Sequence, residues 1–130
     1  MNNLPKPFDT FRLEKNPGEY KDFQIAKDDP YPLKGVTFPT KYGDIAGYTG
    51  EDGHPLDLFV GTGDLCGFIL MHRPDIEAEA TEHKFYINLT EDEETAVLKE
   101  FEPVLRGHER LRSLNELQNA IERFKDKTEP

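Results

Sequence analysis

Short apolar runs separated by Gly, Pro and Asp dominate the middle of the chain. They lie at Val36 to Phe38, Ile45 to Tyr48, Leu56 to Val60, Cys66 to Met71 and Phe85 to Leu89. Runs of this length, bounded by turn-forming residues, are typical of β-strands. The acidic residues 73 to 83 predict a loop, and the segment before position 36, rich in Pro, Lys and Asp, predicts an arm with one or two strands.

The last third of the chain changes to a helical period. Thr90, with Glu93 three residues later, forms a capping-box pattern before an apolar stretch, and Pro103 is expected to end or kink that helix. Ser113 and Glu116 repeat the pattern before a second helix, whose apolar residues share one face: Leu114, Leu117, Ala120, Ile121 and Phe124. Strands followed by two C-terminal helices predict an α+β fold with a small, barrel-like sheet of the OB type.

Length and composition predict one domain over residues 1–130. A chain of 130 residues with 35% apolar content, including nine Phe and five Tyr, supplies a single core. No run is long enough to cross a membrane, and the N-terminus lacks the apolar stretch of a signal peptide, so a cytoplasmic location without a membrane partner is expected. The single cysteine, Cys66, is expected in the core.

A formal net charge of −10 argues against nucleic acid as a partner, because the chain shows no basic stripe to displace counterions from a phosphate backbone. The same charge is neutral evidence on small phosphate compounds. Metal ions that bind first become the largest local charges in a site and can carry an anionic substrate with them.

The most distinctive stretch is Glu51-Asp52-Gly53-His54-Pro55-Leu56-Asp57. In an extended segment Asp52 and His54 share a face while Asp57 points the opposite way, and a bend at Pro55 can restore convergence. Oxygen ligands gathered on a rigid turn suit a hard divalent cation. The alternative is an ordinary solvated turn, since Asp-Gly and His-Pro are common turn dipeptides.

The surroundings of this turn favour the metal site. Phe38-Pro39-Thr40-Lys41-Tyr42-Gly43-Asp44-Ile45 precedes it, and the apolar run Leu58-Phe59-Val60 follows it. Together these segments resemble the family I soluble inorganic pyrophosphatases, in which a Tyr-Gly element precedes an Asp-Gly-Asp-Pro-x-Asp turn and an apolar strand. Tyr42, Asp52 and Asp57 match that pattern in identity and spacing. His54 departs from it, because the family has an Asp there that is usually assigned as the base.

The resemblance implies further site residues outside the turn. Glu82 would replace a metal-binding Asp of the family, and Lys84 would keep the phosphate-binding Lys two residues later. A further metal ligand would come from Glu77, with Asp75 or Glu79 as alternatives. Two more phosphate-binding lysines are implied, Lys125 after Phe124 and Lys34 in the N-terminal segment, where Glu19 and Lys21 match less securely.

The resemblance thus implies metal-dependent hydrolysis of pyrophosphate. Asp52, Asp57, Glu77 and Glu82 would hold Mg²⁺, Lys34, Lys84 and Lys125 would bind the substrate, and Tyr42 and His54 would be catalytic. An imidazole at position 54 would shift the metal preference toward Mn²⁺, Co²⁺ or Zn²⁺. The alternative is a pyrophosphatase-fold module that binds metal, phosphate or a protein partner without turnover. A homo-oligomer is an open alternative to a monomer.

The other histidines are interpreted as solvated surface residues. His72 follows a predicted strand, His83 lies in the acidic segment, and His108 lies in the charged segment between Arg106 and Arg110. None has a spacing that indicates a metal ligand.

Overall fold

The computed structural model describes residues 11–15, 18–20, 36–49, 55–72 and 79–124. Within these ranges the strands and helices follow in the order β1 (Phe11–Lys15), β2 (Gly18–Tyr20), β3 (Val36–Phe38), β4 (Lys41–Thr49), β5 (Pro55–Val60), β6 (Leu65–His72), β7 (Thr81–Leu89), α1 (Glu91–Glu100), β8 (Leu105–Leu111) and α2 (Leu114–Phe124). A short 3-10 turn, Glu102–Val104, contains Pro103 and separates α1 from β8.

Six of the described strands form one mixed sheet, in the order β1-β4-β5-β7-β6-β8, and β2 pairs with β3 separately. β5 and β7 run parallel, and the other neighbours are antiparallel. The α+β prediction is therefore confirmed. Among the described residues no pairing joins the edge strands β1 and β8, so the sheet is open and the expected barrel-like closure is not confirmed.

The sheet buries apolar side chains on both faces, because successive strand residues point to opposite sides. The face that packs against α2 carries Ile45, Leu56, Leu58, Cys66, Phe68, Phe85 and Ile87. The face that packs against α1 carries Phe59, Ile69, Met71, Tyr86 and Leu89. Cys66 is in the core, as predicted.

Both predicted helix starts are present. Thr90 Oγ1 accepts the Glu93 N–H at 3.1 Å, and the Glu93 carboxylate accepts the Thr90 N–H at 2.8 Å, which completes the capping box of α1. At α2, Ser113 Oγ accepts the Glu116 N–H at 3.1 Å, while the Glu116 carboxylate accepts the Arg112 N–H. No described helix has the length and apolar character needed to cross a membrane.

Two sequence interpretations are wrong in the second half of the chain. β7 begins at Thr81, so His83 lies in a strand rather than in the acidic loop, and its ring lies 5.4 Å from that of Phe68. The charged segment around His108 is strand β8, which pairs with β6 at the edge of the sheet. β7 carries the polar side chains of Glu82 and Lys84 at buried positions, and β8 has only two Leu among exposed polar residues, so neither strand shows the period of two that marks a half-buried strand.

Candidate functional site

Four residues selected from the sequence motif meet around one ammonium group. Lys84 Nζ lies 2.5 Å from Asp57 Oδ2, 2.9 Å from the Tyr42 hydroxyl oxygen and 3.3 Å from Glu82 Oε2. These four residues, here called the Lys84 cluster, come from three strands and span more than forty positions of sequence. The structure therefore brings together Tyr42, Asp57, Glu82 and Lys84.

Strand order and register explain this convergence. β4, β5 and β7 are neighbours in the sheet, and the parallel pairing of Leu58 with Phe85 sets the preceding residues, Asp57 and Lys84, at adjacent positions. Glu82 lies two residues before Lys84, so both side chains point to the same face. Tyr42 pairs with Phe59, and their rings lie 4.8 Å apart, which fixes the phenol on that face.

Lys84 and Glu82 are buried, at 5% and 3% relative exposure, whereas the Asp57 side chain keeps 22%. A buried ammonium is costly unless it is paired. Burial lowers the pKa of Lys84, but the nearby Asp57 and Glu82 carboxylates outweigh it and raise the pKa well above its ordinary value. Lys84 is thus charged at neutral pH, and Asp57 keeps more access to solvent than Lys84 or Glu82.

The Tyr42 phenol stays protonated at neutral pH. Burial raises its pKa, the Lys84 ammonium opposes that rise, and the Asp57 carboxylate adds to it. Its oxygen accepts a hydrogen bond from the Lys84 ammonium.

Asp44 extends the acidic character of this part of the sheet, and the sequence interpretation did not select it. Its Cα pairs directly with that of Asp57 on the neighbouring strand, and it is 9% exposed. Like charges at directly opposed positions destabilise a sheet unless a cation compensates. The signal was present in the sequence, since Asp44 follows Tyr42-Gly43, but only the register of β4 against β5 shows that it faces Asp57.

Five other predicted site residues lie outside the described residues: Lys34, Asp52, His54, Glu77 and Lys125. Their roles stay predictions, as do the alternatives at Asp75 and Lys21. Glu19 lies in β2, and Glu79 lies in an exposed turn two residues before β7.

The described side chains of the cluster offer oxygen ligands of the type that a hard cation prefers. The Lys84 ammonium already neutralises part of their negative charge. Asp57 and Glu82 supply carboxylate oxygens and Tyr42 a phenol oxygen, the ligand type that Mg²⁺ prefers. Among the described residues, no group of three or more His, Cys, Asp or Glu side chains is arranged to hold a metal ion. Asp52, His54 and Glu77 would have to complete the ligand set.

A second polar cluster lies on the same face of the sheet and was missed by sequence analysis. The Tyr86 hydroxyl lies 2.5 Å from Glu94 Oε2 and 2.9 Å from His108 Nε2, and Arg110 donates two hydrogen bonds to Glu94. The Arg110 guanidinium holds the pKa of the buried Glu94 carboxyl below its usual range, against the effect of burial. Every member has a partner, so this cluster ties α1, β7 and β8 together.

His108 is exposed and His72 is half-buried, in line with the sequence interpretation, and each ring also contacts a neighbouring side chain. His108 stacks on Tyr86 with ring centroids 6.0 Å apart, and His72 Nδ1 lies 3.0 Å from Arg106. Both contacts involve residues of β8, a strand that was not predicted, so neither contact could be expected from the sequence.

No family model, curated protein or solved structure matches this chain. The Lys84 cluster is therefore assigned from its own geometry and from the sequence motif that led to it.

Proposed function

We propose that this protein is a divergent inorganic pyrophosphatase that hydrolyses pyrophosphate to two phosphates in the presence of a divalent cation. One observation carries the proposal. Tyr42, Asp57, Glu82 and Lys84, selected from a motif and a loose continuation of it, meet within hydrogen-bond distance across three strands. If the acidic turn were only an ordinary solvated turn, nothing in it would require Lys84, more than twenty residues later in the chain, to bind Asp57.

The chemistry of pyrophosphate hydrolysis matches these residue types. Transfer of a phosphoryl group to water depends mainly on positioning and on neutralising charge. A bound divalent cation would supply a more acidic water molecule and charge neutralisation for the leaving phosphate. Asp52, Asp57, Glu77 and Glu82 would hold the cation, and Lys34, Lys84 and Lys125 would orient phosphate oxygens.

Tyr42 and His54 would act on the proton and the attacking group. The Tyr42 phenol, protonated and in contact with Lys84, would donate a hydrogen bond to a phosphate oxygen or a carboxylate. His54 would accept the proton that leaves the attacking water, in place of the family Asp. The proposal includes the OB-like barrel of the family and the predicted cytoplasmic location.

A second candidate function has its own support. Lys84 already compensates Asp57 and Glu82, so the cluster is a stable arrangement without a metal ion. Such a protein would bind metal or phosphate, or a protein partner, without turnover. The two candidates differ in whether bound pyrophosphate is cleaved.

A phosphate-release assay with pyrophosphate and Mg²⁺, Mn²⁺, Co²⁺ or Zn²⁺ separates them, with a chelator as the control. We expect release above the chelated control with at least one metal. His54→Asp should raise the rate with Mg²⁺, because a carboxylate holds a hard cation better than an imidazole does and accepts a proton without creating a new positive charge.

The opposite result is equally informative. If calorimetry shows that pyrophosphate binds with each metal while no phosphate is released by either protein, the non-catalytic candidate replaces the enzyme.

A further inference from the structure

Strand β8 forms one edge of the six-stranded sheet. It pairs with β6 on one side, and among the described residues no strand pairs with its other side. Most of its residues are exposed, namely Arg106, His108, Glu109 and Arg110. The backbone N–H and C=O groups on the outer side of β8 can therefore pair with an added strand, which is a recurring mode of peptide recognition.

A pocket of about 210 Å³ adjoins this edge, between β8 and α2. This volume is below the roughly 300–1,000 Å³ that is typical of small-molecule sites, so the pocket suits a single long side chain. Its lining residues come from both elements: Glu109, Leu111, Glu116, Asn119, Ala120 and Arg123.

One extended segment can engage the strand edge and the pocket together. Directly opposed residues of paired strands share a face of the sheet, and successive residues alternate between the two faces. Leu111 packs against the core under α2, and Glu109, two residues earlier in β8, lines the same pocket. Every second side chain of a strand added to β8 would therefore point toward the face that carries the pocket.

The charges around the pocket favour a basic side chain. No hydrogen bond or ion pair joins the exposed Glu109 carboxylate to another described residue. The other lining carboxylate, Glu116, binds Arg112, and the lining residue Arg123 also has an interaction partner. Glu109 is thus available to a cation from outside the chain, and the net charge of −10 favours the approach of a basic segment.

The apolar part of the pocket narrows the choice to a long basic side chain. Leu111 and Ala120 supply apolar surface next to the Glu109 carboxylate. Lysine and arginine cover apolar surface with their aliphatic stems while the charged end stays in a polar environment. One such side chain would contact both kinds of surface.

A second copy of β8 would not supply this side chain. Antiparallel pairing of β8 with itself about a two-fold axis joins like faces of the two sheets. From Gly107 to Leu111, the face toward α2 carries Gly107, Glu109 and Leu111, whereas Arg110 binds Glu94 on the opposite face. Self-pairing would therefore bring no basic side chain of this stretch to the pocket.

We propose that the outer edge of β8 and the adjoining pocket bind an extended basic segment of a partner protein. The segment adds a strand to the sheet and places a lysine or arginine side chain over Leu111 and Ala120, with its charge beside Glu109. This interaction is independent of the proposed pyrophosphatase activity, because no residue of the Lys84 cluster takes part in it.

The test uses the full chain and the fluorescein-labelled peptide Thr-Lys-Val-Lys-Val-Lys-Thr, with binding followed by fluorescence anisotropy. The salt concentration is about 0.15 M, where screening over about 8 Å limits attraction by the net charge alone. The same peptide with Glu in place of each Lys should bind at least about tenfold more weakly, because it places like charge beside Glu109.

Two further peptides, N-methylated at one or the other set of alternate residues, separate strand pairing from charge attraction. An added strand uses the N–H groups of every second residue in pairing with β8. One N-methylated peptide should therefore lose about tenfold or more in affinity, and the other should stay close to the unmethylated peptide.

On the protein side, Glu109→Gln should weaken binding of the Lys peptide by about two- to fivefold, as expected for an exposed ion pair. Asp92→Asn is the matched control, since it removes the same charge from an exposed position of α1 on the opposite face of the sheet, and it should leave the affinity unchanged. Amide exchange measured by NMR should slow at alternate residues of β8 when the Lys peptide binds.

Several results would overturn the inference. These are no binding of the Lys peptide, equal loss with both N-methylated peptides, equal affinities of Glu109→Gln and Asp92→Asn, or binding without slowed exchange in β8. A dimer in analytical ultracentrifugation whose β8 amides are protected without peptide would assign the edge to a second copy and would likewise refute it.

Discussion

At the residue scale, the contact between Asp57 and Lys84 stabilises a buried charge. Lys84 is buried and charged, so each carboxylate that pairs with it offsets part of the cost of removing the ammonium from water. The Asp57 contact, at 2.5 Å, is shorter than the Glu82 contact at 3.3 Å. Its side chain is 22% exposed, so solvent weakens the interaction in part.

We expect Asp57→Asn to destabilise the protein by about 2 kcal/mol, below the range for breaking a fully buried ion pair because of this exposure. Denaturant unfolding measures the change. Asp64→Asn is the matched control, as Asp64 is exposed in the turn between β5 and β6, and it should stay within about 0.5 kcal/mol of the original protein. Equal stability of the two variants would show that the contact contributes nothing.

The sequence predicts which residues belong to the Lys84 cluster better than it predicts how they are arranged in space. Tyr42 and Asp57 could be selected because a short motif fixes residue types at set spacings, and Glu82 and Lys84 came from a looser continuation of that motif. The sequence does not show that these four side chains lie together. Their positions depend on the parallel pairing of β5 with β7 and on the register of β4 against β5, which also places Asp44 opposite Asp57. Pairing between distant strands is set by tertiary packing, which leaves no local signal in the chain.

At the element scale, β6 and β8 hold the edge of the sheet, and Gly67 decides how closely they approach. A Cβ at Gly67 would overlap the Glu109 carbonyl oxygen and lie 2.7 Å from the Tyr86 hydroxyl. At Gly107, on the partner strand, the nearest atom to a new Cβ would be Leu70 Cβ at 3.7 Å, an ordinary contact.

Gly67→Ala should therefore destabilise the protein by about 1–3 kcal/mol, the usual cost of overpacking. Gly107→Ala should be neutral or slightly stabilising, since it reduces the freedom of the unfolded chain without a clash. Thermal or denaturant unfolding of the two variants side by side measures the difference. A Gly67→Ala variant as stable as Gly107→Ala would mean that the two strands can separate without cost.

The helices and strands also show where hydrophobic periodicity predicts secondary structure correctly and where it does not. α1 and α2 were predicted with their N-terminal caps because capping residues and apolar stripes are local signals. β8 was missed because it is an exposed edge strand. Its seven residues include two Leu and the charged residues Arg106, Glu109 and Arg110, so it shows no apolar run. The start of β7 was missed because Glu82 and Lys84 replace inward apolar residues with a buried ion pair.

At the scale of the whole molecule, the Glu94 carboxylate ties α1 to β7 and β8. Its folded-state pKa lies below the ordinary value, chiefly because of the hydrogen bonds from Arg110. A depressed pKa contributes stability that is present above the unfolded-state pKa and is lost as the pH falls through the folded-state value. The ordinary Glu pKa of about 4.3 sets the upper limit of that window.

Glu94→Gln should therefore lower the free energy of unfolding by about 2 kcal/mol at pH 7, since Tyr86 and Arg110 lose a charged partner. The difference from the unmodified protein should shrink as the pH falls below about 4. Urea unfolding at a series of pH values measures it, with the exposed Glu102→Gln as control. A difference that does not change with pH would show that the charge of Glu94 is not what stabilises these elements.

The two polar clusters share one face of the sheet but differ in the exposure of the Glu94 and Asp57 carboxylates. Glu94 is 5% exposed and its two oxygens bind Arg110 and Tyr86, so that cluster serves stability. In the Lys84 cluster, Asp57 keeps access to solvent. This difference is why the chemistry is proposed at Asp57 and Lys84.

The most direct measurement is phosphate release from pyrophosphate by Asp57→Asn and Asp64→Asn, in the metal that best supports the unmodified protein, at a temperature where circular dichroism shows all three folded. The account predicts that Asp57→Asn loses roughly 10- to 100-fold or more of the rate, as expected on weakening the ligand environment of a metal site. Asp64→Asn should keep the original rate. Equal rates in the two variants, or no release by the unmodified protein above its chelated control with any of the four metals, would contradict it.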